Sequence, residues 1–145
     1  MKSNIKTIFS IEKGKRIKLP FYEIPVPAGF PSPADDYIED RLDFNEKFVE
    51  HPEATYFVRV AGDSMINARI YDGDLVMIDC AIEHRNGSIV LAAIDGEVVL
   101  KRYVIEKGKH ILRSENPDYG DIILSENSSF KVWGVLKLVI IDRIE

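Results

Sequence analysis

From residue 55 onward the chain is a succession of short alternating or β-branched runs, each closed by a turn signal, and that rhythm confines it to a β-rich fold. Runs near 56–61, 74–79, 88–94, 97–105, 109–113, 121–124 and 130–141 read as strands. Asp72-Gly73-Asp74, Asn86-Gly87, Asp95-Gly96, Lys107-Gly108 and Asn116-Pro117 supply the turns. Asp95-Gly96 lies between two such runs and predicts a tight hairpin. Trp133 and the run Val135–Ile141 read as core and sheet. Nothing predicts a long helix. Asp43-Phe44-Asn45-Glu46 has capping-box spacing and predicts a short helix ending at His51-Pro52. Ser32-Pro33-Ala34-Asp35 reads as a second helix start, with Ser32 as cap and Pro33 in the first turn. The expected class is mostly β: twisted antiparallel sheets with one or two short helices and an extended N-terminal arm.

That arm comes first in the chain. Residues 1 to about 23 show no clear amphipathic period, although Ile5, Ile8, Phe9 and Ile11 could cover a patch. Arg16-Ile17-Lys18-Leu19 alternates like a short edge strand. Residues 24–33 hold four of the seven prolines, so this segment is extended and barred from a sheet interior. It reads either as a linker or as a peptide laid out for recognition, with Ala28 and Gly29 small enough to enter a tight site. Residues 1–28 carry six basic side chains against two acidic ones, a net of +4, and leave −9 to the rest of a chain whose total is −5. A basic arm on an acidic body can dock electrostatically.

Two residues in the β-rich part carry potential chemistry. Tyr56-Phe57-Val58-Arg59-Val60 runs as a strand into Ala61-Gly62-Asp63-Ser64-Met65. A serine on a tight turn after a strand exposes its hydroxyl and leaves backbone N–H groups free, as a nucleophile requires. Gly-Asp-Ser is also ordinary turn chemistry. In Glu97-Val98-Val99-Leu100-Lys101-Arg102-Tyr103 the alternation sets Lys101 on one face with Val99 and Tyr103. An ordinary lysine amine is neutral in only about one molecule in 2,500 at pH 7, and burial raises that fraction. A lysine reaching water from a strand edge fits the pattern as well.

Taken together, Gly62-Asp63-Ser64-Met65, Asp72-Gly73-Asp74 and Lys101 resemble the LexA/UmuD-like self-cleaving serine peptidases. Pro27-Ala28-Gly29-Phe30-Pro31-Ser32-Pro33 resembles their cleavage segment, and Asp36-Tyr37 and His51-Pro52 match too. The resemblance runs from about Ile24 to the C-terminus. It implies Ser64 as nucleophile, Lys101 as general base and Ala28-Gly29 as the bond cut. The backbone N–H groups of Ser64 and Met65 are the oxyanion-hole candidates. The implied organisation is a removable arm, 1–28, on a Ser-Lys peptidase body, 29–145. It also implies a cytoplasmic homodimer that is its own substrate and is prompted by a RecA–single-stranded DNA filament. The shortened product is expected to serve a Y-family, UmuC-like translesion polymerase in the SOS response, and no cofactor is implied.

Composition narrows the alternatives. Cys80 is the single cysteine, which excludes an internal disulfide. His51, His84 and His110 are too scattered to suggest a metal. The acidic balance argues against general nucleic-acid binding, and the arm is too short for a helix-turn-helix unit with its own core, so no sequence-specific DNA binding is expected. A type I signal peptidase shares Ser-x-Met and a lysine base but needs a membrane anchor, and no apolar run here approaches about 20 residues. The remaining alternative is a non-catalytic polymerase-accessory or regulatory module in which Ser64 and Lys101 are inert.

Overall fold

The computed structural model describes residues 3–10, 18–21 and 40–141, which fall into two compact units. One comprises Met1–Ile11 with Glu53–Glu145, the other Glu12–Pro52. The larger carries an eight-stranded antiparallel sheet. Its spatial order is β1 (Ile5–Ser10), β4 (Thr55–Val60), β5 (Leu75–Asp79), β10 (Phe130–Ile140), β6 (Ile89–Ile94), β7 (Glu97–Glu106), β8 (Lys109–Arg113) and β9 (Ile122–Ile123). In the smaller unit β2 (Lys18–Phe21) pairs antiparallel with β3 (Asp40–Asp43), and α1 (Phe44–Phe48) follows at once. Asp43 caps α1: its carboxylate accepts the backbone N–H groups of Asn45 and Glu46 at 2.9 and 3.4 Å. The segment with Ala28-Gly29 and the helix start expected at Ser32-Pro33 lie outside the described residues.

The mostly β, antiparallel class expected from the sequence is the class observed, and all seven strands predicted after residue 55 are present. Two hairpins use the turn chemistry read from the sequence. Asp95 and Gly96 both take positive φ, 47° and 84°, as do Lys107 and Gly108, 51° and 75°. That pair of left-handed residues matches the twist of the flanking strands. Two strands were not foreseen, β3 and β1. Ile5–Ser10, expected as part of an arm resting on the body, is itself an edge strand paired with β4. Five of its six residues are exposed, so burial imposes no alternation that a sequence pattern could reveal.

The central strands are buried on both faces, and alternate residues feed two cores. Leu91 and Leu100 join Val58, Val60, Met65, Ile70, Val76 and Ile78 in one. Val90, Ala92, Ile94, Val99, Tyr103 and Leu112 form the other. Full burial of a side chain such as Leu100 stabilises by roughly 1.5–3 kcal/mol. β10 serves both cores by breaking its own alternation. Its pairing with β6 shifts register between Val132 and Gly134, so Val132 and Val135, three apart, pack on the same core. A second shift, against β5, lies between Leu136 and Leu138 and lets Leu136 and Val139 share the first core. Trp133, read from the sequence as core and sheet, lies in β10 but stands between inward-facing neighbours and is 38% exposed.

At Gly134 β10 passes close to the end of β5. A Cβ there would stand 2.7 Å from Ile78 Cγ2 and 2.9 Å from the Asp79 carbonyl oxygen. Gly134→Ala should therefore destabilise the fold by roughly 1–3 kcal/mol through overpacking. Urea unfolding reads this directly; an unchanged midpoint would mean that the bulge absorbs the methyl group.

Candidate active site

β4 delivers the chain into a turn that is fixed from several sides. Gly62, at φ 80°, gives its N–H to Asp72 Oδ1 at 2.8 Å. The Gly73 N–H donates to the Val60 carbonyl at 2.9 Å, and the Val60 N–H to the Asp74 carbonyl at 3.0 Å. Asp72-Gly73-Asp74 is thus a brace for the serine turn as well as a turn itself. The Gly62 N–H and the Lys6 ammonium hold the Asp72 carboxyl below its ordinary pKa. Met65 anchors the turn from beneath: its side chain is fully buried in the first core. Ser64, next to that anchor, is only 5% exposed and points into a cavity of about 460 Å³. No other described residue accepts a hydrogen bond from the backbone N–H groups of Ser64 and Met65.

β7 brings Lys101 to the same cavity. Alternation puts its side chain on the Val99 and Tyr103 face, as the sequence indicated, and leaves it 5% exposed. Burial pushes the amine pKa below the lysine range. Among the described residues no carboxylate pairs with Lys101. Its Nζ donates to Ser114 Oγ at 2.9 Å and stands 5.6 Å from the centre of the Tyr119 ring. The structure therefore gathers Ser64 and Lys101 around one cavity, with Met65 adjoining Ser64 in the chain, while Ala28 and Gly29 lie outside the described residues.

Sequence reading treated Asn116-Pro117 only as a turn and passed over its neighbours. The segment from Ser114 to Tyr119 in fact joins the two halves of the site. Ser114 holds the lysine amine. Asn116 Nδ2 donates to the Asp63 carbonyl at 2.9 Å, and the Tyr119 hydroxyl donates to the Asp63 carboxylate. The Asn67 N–H donates to the Glu115 carbonyl at 2.8 Å, and Glu115 is paired with Arg102 beside Lys101. The Asp63 carboxylate and burial raise the Tyr119 pKa, so this hydroxyl keeps its proton. A run of polar residues straight after the Ile-Leu-Arg end of β8 was the available signal. Asn4, buried in the wall of the cavity, was missed as well.

The model of the family described as Peptidase S24-like matches residues 20–137. Among curated proteins the chain is similar to protein MucA of Salmonella typhimurium, 38% identical over 138 residues, or 94% of each chain. It is similar to protein SamA of Salmonella typhimurium (strain LT2), 42% identical over 113 residues, 78% of this chain and 80% of that one. It is also similar to the LexA repressor of Ectopseudomonas mendocina, 42% identical over 97 residues, 67% of this chain and 47% of that one.

The buried amine should appear in the stability of the fold. In the folded chain the Lys101 pKa is lowered; in the unfolded chain it is ordinary, near 10.4. Between those two values the unfolded chain holds the extra proton, so stability rises with pH, and below them the penalty is present in full. Lys101→Met removes the penalty. It should be at least as stable as the parent at pH 7, with the advantage shrinking toward pH 10. Urea titrations at the two pH values check this, and a marked loss at pH 7 would show the charged amine to be stabilising.

Proposed function

We propose that this chain, which belongs to the S24-like peptidases in their LexA-related, UmuD-like branch, hydrolyses its own Ala28-Gly29 bond with Ser64 and Lys101. One observation carries the reading: a hydroxyl and a desolvated amine, both nearly buried, line the same cavity. Neutral Lys101 takes the proton of Ser64 as Oγ bonds to the Ala28 carbonyl carbon. The charge on the carbonyl oxygen is met by the Ser64 and Met65 N–H groups, where losing one donor typically costs about 3–4 kcal/mol. The C–N bond to Gly29 then breaks, and the proton passes from Lys101 to the departing amine. Water, deprotonated by the same lysine, releases the acyl group at Ala28. Because the substrate is tethered, effective concentration replaces affinity.

The family resemblance supports the wider role. A RecA–single-stranded DNA filament supplies the prompt by favouring the cleavable pose, or the neutral amine, which is otherwise sparsely populated. The product, residues 29–145, is an accessory subunit of a Y-family, UmuC-like polymerase in SOS translesion synthesis in the cytoplasm. The protein works as a homodimer before and after cleavage. Sedimentation at micromolar concentration should find dimers of both forms, and monomers alone would refute that part.

A gel time course from pH 7 to 10, with fragment masses, tests the chemistry. Uncatalysed cleavage should fall between Ala28 and Gly29, rise about tenfold per pH unit below the lysine pKa, and then flatten. Ser64→Ala and Lys101→Ala should be inactive. Lys101→Arg should be inactive too, since a guanidinium keeps its proton in this range. Ala28→Asp should block cleavage by placing a charge in a small site, and Lys107→Arg should change nothing. An intact mass after prolonged alkaline incubation would identify the chain as a non-catalytic binding module; a cut elsewhere would overturn the assignment of the bond.

A further inference from the structure

Asn4 makes more polar contacts at this site than the nucleophile does. It is 5% exposed, and its carboxamide closes on Leu100 as the peptide group of another strand would: Oδ1 accepts the Leu100 N–H and Nδ2 donates to the Leu100 carbonyl, both at 2.8 Å. Nδ2 also donates to Ser64 Oγ at 3.2 Å. The Asn4 carbonyl accepts the Ala61 N–H at 2.7 Å, and the Ser3 hydroxyl donates to the Val98 carbonyl. This is possible because β8 covers β7 only from Arg102 to Glu106, leaving the edge at Val98–Leu100 without a paired strand on that side among the described residues. The carboxamide and the carbonyl of Asn4 all find partners, so burying them costs little.

The groups that Ser3 and Asn4 occupy are backbone donors and acceptors on two facing edges, Ala61 after β4 and Val98–Leu100 on β7, with Ser64 between them. An extended peptide lying in this cleft needs the same groups. A peptide under attack must also bring its carbonyl carbon to about 3–3.5 Å from Ser64 Oγ, where the Asn4 amide already stands. Beyond Asn4 the segment is held by its backbone ladder with β4 and little by side chains: Ile8 and Phe9 are each 45% exposed, and the Lys6–Asp72 pair is a surface ion pair of little worth.

We infer that the cleft between Ala61 and the β7 edge is a docking groove for an extended peptide, that Ser3 and Asn4, at the head of the segment 3–10 that continues as β1, are its resident ligand, and that Asn4 is the side chain it selects. The inference rests on Ser64 being the nucleophile proposed above. The resident ligand and the scissile segment exclude each other, so the intact chain holds its own site closed. A cut at Ala28-Gly29 turns the tethered ligand into a free one and opens the groove.

The full chain carrying Asn4→Ala tests this with two readouts: labelling of Ser64 by a small fluorophosphonate, followed by mass, and spontaneous self-cleavage. Both should speed up on the order of tenfold, the equivalent of about 1.4 kcal/mol of lost closure. If the substitution frees the whole of β1, the groove opens all the same. An added peptide of residues 3–10 should slow the variant back toward the parent, and the same peptide with Asn4→Ala should not. Equal or slower reaction of the variant in both readouts, or equal action of the two peptides, overturns the groove while labelling of Ser64 in the parent leaves the nucleophile standing. Absence of labelling and cleavage in parent and variant alike, even at alkaline pH, removes the nucleophile and the inference with it.

Discussion

A lysine amine taken out of water without a carboxylate partner among the described residues is the constraint on which the site depends. Removing such a charge from water costs several kcal/mol, and a protein answers by lowering its pKa until the neutral form is accessible. The penalty is tolerable only where it is set against extensive apolar burial. β7 provides this: Val99 and Leu100, the residues just before Lys101, are fully buried on opposite faces of the sheet. The strand cannot turn its lysine outward without exposing one core or the other, since a slip of one residue moves every side chain to the opposite face.

The buried amine must still be aimed. Ser114 holds Nζ, and the residues that follow it hold Asp63, the residue before Ser64. A single segment after β8 thus sets Lys101 and Ser64 relative to one another. Asp72 and Gly73 do the same from the other side by fastening Gly62 and Val60. The serine turn is braced at both flanks and pinned from below by Met65, so its geometry does not rely on the intrinsic preference of a glycine-containing loop.

β1, at the far edge of the strand order, comes back into contact with β7. Because Asn4 completes hydrogen bonds that a strand would otherwise make, the N-terminal residues are part of the sheet and of the cavity wall at once. Edge groups left open by a neighbouring strand attract any extended segment. In this chain they lie beside the candidate nucleophile, so sheet closure and access to the site are one physical question.

The strand content, the hairpin turns at Asp95-Gly96 and Lys107-Gly108, the cap at Asp43 and the face shared by Val99, Lys101 and Tyr103 were all legible in the sequence. They are local: a period of two or a turn residue acts over a few positions and needs no distant partner. Ser64 and Lys101 could be singled out for the same reason, each by its own neighbourhood. Only the tertiary structure placed them at one cavity, assigned Ser114 and Asn116 to the site, shifted the alternation of β10 at Gly134 and drew Asn4 onto Ser64 and Leu100. Asn4 lies 60 positions from Ser64 and 96 from Leu100. Contacts of that span leave no periodic trace, because they are fixed by how far the sheet curls and which edge remains unpaired, and both are properties of the assembled strands.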